Sequence, residues 1–319
     1  MPEEPRGASP DPDGSGPNRS SDRHLGVTLR PSGGIAPLRR GPEQWIEEGL
    51  PERPPNLAQP KQRVFLSATL FLLTVASTSY IVSPTYSVCV LAILTAHEFG
   101  HYLAARYYRV PATLPYFLPA PVLFGTMGAV IRMSPFIPNR KALFDISAAG
   151  PIAGVVLAIP ISWVGVTLSS RLPIDESAGL VLGEPLLFKF FEWTWFGSAE
   201  EGLTLVLHDV AFAGWVGLFI TALNLIPVGQ LDGGHICYAV FAKRSFKVAI
   251  ASFLALVAIS MATRAAYALL LVLLFVTGIR HVPTMDDSVP IGRGRQRIAA
   301  LLLVVFALCF VPVPISLGQ

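Results

Sequence analysis

His97, Glu98 and His101 stand in the order H-E-x-x-H near the end of a long apolar run, Thr95-Ala96-His97-Glu98-Phe99-Gly100-His101-Tyr102-Leu103. Residues four apart share one face of a helix, so the two imidazoles converge and can hold a single metal ion. Glu98 lies one step round the helix. From there it can reach a water on that ion without taking a coordination position itself. The same side chains in headgroup water would make only a solvated helix end. A charged group at membrane depth costs roughly 2.5–3.5 kcal/mol on insertion scales, so an ionisable cluster inside an apolar run points to chemistry.

A second apolar run closes on Asn224-Leu225-Ile226-Pro227-Val228-Gly229-Gln230-Leu231-Asp232-Gly233-Gly234-His235. Asp232 supplies the carboxylate that would complete the three protein ligands of a catalytic zinc, with the fourth position left to water. Taken alone, an Asp before Gly-Gly also reads as a turn residue that caps the next helix. Pro227 and Gly229 break the helix, while Gly233 and Gly234 allow a close backbone approach. His235 is a rival ligand, but four protein ligands would describe a closed structural site. A role beside the ligands or at a helix start is therefore expected for it. The Asn224 amide can donate to the oxyanion of a tetrahedral intermediate or bridge two helices.

The elements that must position these residues are membrane helices. The 319 residues are 52% hydrophobic and 14% charged, against roughly 25% charged in soluble domains, and the mean hydropathy is +0.54. That balance excludes a disordered protein, a nucleic-acid-binding domain and a disulfide-stapled module. Cys89, Cys237 and Cys309 lie far apart in apolar surroundings and read as small buried hydrophobes. Residues 1–60 hold 12 Pro and 8 Gly with charges of both signs. This composition buries too little apolar surface to offset ordering entropy, so a disordered cytoplasmic tail is expected. It has no signal-peptide core, and its nine acidic residues argue against a transit peptide.

Residues 61–319 form the predicted membrane domain, with apolar runs at about 64–83, 85–105, 144–168, 209–227, 246–263, 265–279 and 298–314. They predict an all-α polytopic protein of about seven transmembrane helices. The fifth and sixth runs are short and form the weakest joint. Residues 111–136 are apolar but carry prolines at 111, 115, 119, 121 and 135. They cannot make one spanning helix, and irregular backbone at membrane depth survives only against protein or a water-filled cavity. A re-entrant hairpin or small sheet is the expectation. Within it, the stretch from Gly125 to Arg132 either presents an edge strand to an extended substrate, with Gly125 and Gly128 as substrate-binding positions, or is a buried turn. Lys61, Arg63, Arg106, Arg109, Arg140, Lys141, Lys243, Arg244 and Arg293 to Arg297 place the N-terminus and both chemical stretches on the cytoplasmic side. The 169–208 loop, with six acidic and two basic residues, falls on the other.

The pairing of H-E-x-x-H at 97–101 with the stretch from Asn224 to Gly233 resembles the site-2 protease family of intramembrane zinc metalloproteases. The resemblance extends through Gly125–Arg132, Asn139–Asp145 and Ala149–Gly154, covering about residues 64–280. It implies zinc held by His97, His101 and Asp232, water activated by Glu98, a transition state assisted by Asn224, and transmembrane proteins as substrates. A bacterial inner membrane is the expected location, and no nucleic-acid partner is expected. The 169–208 loop is too short for the peptide-binding domain of some relatives. A membrane metal transporter using the same His and Asp residues is the alternative, yet only six His occur and no His-rich tract. An inactive membrane-protein-binding homologue would not need Glu98.

Overall fold

The computed structural model describes residues 62–121, 123–173, 181–198, 202–263, 267–279, 281 and 283–316. The expected tail at 1–60 lies outside the described residues. The chain runs α1 (Val64–Ile81), α2 (Pro84–Tyr107), β1 (Tyr116–Pro119), β2 (Thr126–Val130), α3 (Arg140–Leu168), β3 (Ser170–Pro173), β4 (Val181–Leu182), α4 (Leu186–Phe196), β5 (Leu203–Val206), α5 (Asp209–Asn224), α6 (Asp232–Phe241), α7 (Ser245–Ala262), α8 (Ala268–Thr277), α9 (Arg293–Cys309) and β6 (Ile315–Ser316).

The surface is inverted relative to a water-soluble helical protein. On α1 the buried residues are Ser67, Thr74 and Thr78, whereas Phe65 and Tyr80 are 86% and 88% exposed. Thr74 and Thr78 donate their hydroxyls to the carbonyls of Leu70 (2.8 Å) and Thr74 (2.7 Å), and Thr78 also pairs with Ser87 on α2 (2.6 Å). Small and hydroxylic residues between helices, with large apolar ones outward, are how helices pack when lipid supplies the solvent. Among the described residues, four helical stretches can cross a membrane by length and composition: Val64–Ile81, Pro84–Tyr107, Arg140–Leu168 and Asp232–Ala262.

Against the seven spans expected, the described residues give four helices of spanning length and shorter apolar ones. The 16-residue α5 and 10-residue α8 are about 24 and 15 Å long at 1.5 Å per residue, short of a hydrocarbon core of about 30 Å. The apolar runs overcount because some of their residues build turns, as at 225–227 and 278–279. The fifth run in turn begins earlier than its apolar stretch: the helical path starts at Asp232 and passes through a 3-10 turn at Ala242–Arg244.

Three helices form the centre. Ser83 caps α2, its hydroxyl accepting from the Tyr86 amide (3.1 Å), with Pro84 at the first helical position. Asn139 caps α3 by accepting from the Ala142 amide (3.0 Å). α3 packs against both α2 and α5, around Val90, Ile93, Leu94, Ala158, Trp215 and Leu218. The proline-rich stretch makes the small sheet anticipated as one of two possibilities: β1 and β2 pair antiparallel, Tyr116 opposite Val130 and Phe117 opposite Ala129, with a register shift before Pro119. β1 lies on α1, where Phe117 meets Phe71 edge-on at 5.0 Å. Two further strand pairs were not anticipated in a helical protein, β3 with β5 and β4 with β6. The first brackets α4, to which Arg171 on β3 is tied through Glu192 (3.1 and 3.2 Å).

Candidate metal centre

The face of α2 that is buried reads Val90, Leu94, His97, His101 at helical spacing, with Glu98 beside it. What lets this polar face pack is a run of small residues on both helices. A Cβ on Gly100 would stand 2.5 Å from the Ala149 carbonyl oxygen, and one on Gly154 would stand 3.1 Å from His97 Nδ1. At Gly150 the space is taken by the His101 ring itself, 2.1 Å from where a Cβ would sit. Gly150-x-x-x-Gly154 is thus a close-approach motif of membrane helices that seats both imidazoles against α3. These glycines were quoted in the family resemblance without a role; the G-x-x-x-G spacing is the signal that could have supplied it.

Asp232 arrives from the other side. The turn after α5 folds back so tightly that a Cβ on Gly233 would lie 2.0 Å from the Leu225 carbonyl oxygen, and one on Gly234 2.4 Å from that of Gly229. Two consecutive glycines are needed for α6 to begin against this turn, and Asp232 is its first residue.

The result is a cluster of three donors. Asp232 Oδ2 lies 3.2 Å from both His97 Nε2 and His101 Nε2, and the two Nε2 atoms are 3.2 Å apart. Ligands on a tetrahedral zinc at 2.0–2.1 Å stand about 3.3 Å from one another, so the triangle fits such an ion. His101 supports the fit: its Nδ1 lies 2.8 Å from the Ile146 carbonyl. A carbonyl only accepts, so Nδ1 carries the proton and Nε2 is left for a metal. Among the described residues these three are the group able to hold a metal ion. The Asn224 amide nitrogen is 3.3 Å from His97 Nε2, and Glu98 is buried, 5% exposed.

These residues line a cavity of about 410 Å³ whose opposite wall includes Ala129, Val130 and Ile131 of β2 and the residue after it. Gly125 and Gly128 do not line it. Gly125 has φ +73° and packs against Thr78, where a Cβ would lie 2.6 Å from its Cα. Gly128 has φ +96° with open space beyond it. A third wall was not foreseen. His281, Pro283 and Thr284, in the segment between α8 and α9, also line the cavity. Here His235 Nδ1 meets His281 Nε2 at 2.5 Å, and the His281 ring stacks on Tyr238 (4.3 Å, 15°). The Tyr238 hydroxyl donates to Asp287 (2.5 Å). Burial would raise the Asp287 carboxyl, but hydrogen bonds from Thr284 and Tyr238 hold it below its usual range. The segment is fastened to the sheet side by the amides of Met285 and Asp286, which donate to the carbonyls of Ile137 and Pro138 (both 3.0 Å).

Helices of spanning length here bury a His-His-Asp triangle able to hold one metal ion, with a carboxylate beside it. Residues 85–272 match the sequence pattern of Peptidase family M50, and the chain belongs to that family, which is the site-2 protease family of the resemblance. It is 39% identical over 159 residues to the probable zinc metalloprotease EGY1, chloroplastic, of Oryza sativa subsp. japonica, covering 48% of this chain and 27% of that protein. It is 31% identical over 230 residues to the EGY1 protein of Arabidopsis thaliana, covering 70% and 42%. The probable zinc metalloprotease EGY2, chloroplastic, of Oryza sativa subsp. indica is 33% identical over 159 residues, covering 48% and 28%. The chain therefore spans less than half the length of each of these relatives. No solved structure matches it. The relatives are chloroplast proteins of plants, which overturns the expected bacterial inner membrane. Basic loops report the side of a bilayer from which a chain is inserted; they carry no information about which bilayer it is.

Proposed function

We propose that this chain is a zinc-dependent endopeptidase acting on membrane-protein substrates at or within the bilayer of a chloroplast membrane. The observation that carries the reading is the triangle of His97, His101 and Asp232 donors at 3.2 Å, beside Glu98 in one cavity. His97, His101 and Asp232 would hold the ion. Bound zinc supplies Lewis-acid polarisation of a carbonyl and acidifies water. Glu98 takes a proton from the attacking water and returns it to the leaving amine. The Asn224 amide, near His97, donates to the oxygen on which negative charge develops.

A helical substrate hides its peptide bonds and must extend before attack. Among the described residues β2 pairs with β1 along one edge, and Ala129 and Val130 at its end, with Ile131 after it, border the cavity, so its other edge can align an extended segment by strand addition. We assign that alignment to Ala129–Ile131 rather than to Gly125 or Gly128. The catalytic end faces the side marked by the basic loops.

The test is zinc content and substrate cleavage measured side by side in the full chain. Glu98→Gln should keep its zinc and lose about 10²–10⁴ in cleavage rate. Asn224→Ala should keep zinc and lose about 10²–10³. Parent-level cleavage by zinc-loaded Glu98→Gln would refute the mechanism.

A further inference from the structure

We infer that Arg295, acting through Asp145 and the Ile146 carbonyl, is a positioning residue for His101. The inference rests on the metallopeptidase reading above, and Arg295 lies outside the residues that match the family pattern, 85–272.

His101 needs its Nδ1–H held so that Nε2 points at the ion, and the group that holds it is the Ile146 carbonyl at 2.8 Å. That carbonyl sits in a weakened part of α3. Pro151 has no N–H, so the carbonyl of Ser147, one residue after Ile146, has no helical partner. External contacts must therefore hold this turn in place. The Ile146 side chain is fully buried against Ala105 and Val110, just beyond the H-E-x-x-H segment. Asp145, immediately before it, is gripped from two elements. Arg295 on α9 donates from Nε (2.7 Å) and Nη2 (2.6 Å) to its two oxygens, and the Tyr108 hydroxyl, at the end of α2, donates to it as well.

The sequence of α9 carries an independent sign of this contact. The helix opens with Arg293 and Arg295 and has no acidic residue in its first turn, the wrong charge for the positive end of a helix dipole. Asp145 supplies the missing anion from α3. A two-pronged guanidinium–carboxylate pair fixes direction as well as distance, which a lysine cannot reproduce. α9 thereby locks the turn of α3 that orients a ligand on α2.

The experiment uses the full zinc-loaded chain and follows zinc release to a chelator, together with the visible spectrum of the cobalt-substituted protein. Loss of groups that orient metal ligands costs 10–100-fold in affinity. Arg295 acts one step further out, so Arg295→Gln should speed release about tenfold and shift the cobalt bands, and Arg295→Lys should fall between it and the parent. Arg171→Gln breaks a second arginine–carboxylate pair, on Glu192 of α4, and should leave release and spectrum unchanged. Release at the parent rate from both Arg295 variants, or equal acceleration by Arg171→Gln, would overturn the positioning role. A parent chain that holds no zinc would instead fail the metallopeptidase reading, and the positioning role with it.

Discussion

Two histidine pairs face the same cavity and differ in what surrounds them. His97 and His101 stand with ring centroids 4.9 Å apart at 69°; His235 and His281 stand at 4.7 Å and 90°. Ring geometry alone would not separate them. The first pair comes from one helix, its nitrogens 3.2 Å apart with a carboxylate oxygen completing an equal triangle. The second joins a helix to a loop, and its nitrogens are 2.5 Å apart. That gap is shorter than the roughly 3.3 Å that two ligands of one zinc require, so this pair is closed on itself. The nearby carboxylate, Asp287, accepts from the Tyr238 hydroxyl. What separates the group able to hold a metal ion from the other histidine pair is the third donor and the spacing the backbone enforces. A count of nearby histidines does not define such a group.

The largest expected effect that divides the two pairs is on metal content. His97→Ala, His101→Ala and Asp232→Ala should each strip most of the zinc, while His235→Ala and His281→Ala keep it. Elemental analysis per mole of chain decides this. Full zinc in Asp232→Ala, or its loss in His235→Ala, would reverse the roles of the two clusters.

A sharper version leaves every donor in place. Gly150→Ala puts a methyl group into the His101 ring position, so zinc should fall nearly as far as in His101→Ala. Gly128→Ala meets no neighbour but sits at φ +96°, a strain worth about 1–2 kcal/mol. It should lower thermal stability and leave zinc intact. Metal analysis and a melting curve on both variants test the contrast, and a zinc-loaded Gly150→Ala protein would contradict the close approach.

The smallest effect concerns the loop that carries His281. Asp287 is held below the usual carboxylate range, so its contribution is fully present above its unfolded value of about 3.9 and is lost as pH falls through its lower folded value. Hydrogen exchange over 283–291, corrected for intrinsic rates, should be unchanged between pH 7 and 5 and faster at pH 3. Asp287→Asn should remove the pH step. Equal protection at pH 5 and 3 in the parent would show that the carboxylate does not hold the loop.

Much of the site was legible because its spacing is local. H-E-x-x-H needs only the 3.6-residue helical period to bring His97 and His101 together, and Asp232 was marked by the helix-breaking residues around it. The His281 wall was not legible. A single histidine after an apolar run has no periodic partner, and its contact with His235 spans 46 positions. Helix ends were not legible either, because hydropathy does not separate a spanning helix from an apolar turn, as at Leu225-Ile226-Pro227.

By itself the sequence determined that this is a membrane protein with two stretches whose His and Asp side chains could hold a metal ion, and a proline-rich segment that is no spanning helix. Composition and short-range periodicity are enough for that, since both act within a few turns of chain. Only the tertiary structure decided that α3 packs on both the helix of His97 and His101 and the helix of Asp232, that Gly150 makes room for His101, and that the Ile146 carbonyl fixes its tautomer. It also decided that Arg295 reaches Asp145 across 150 positions. Those outcomes depend on which backbones can approach within a few ångströms, and that distance is a property of packed helix pairs rather than of any one segment.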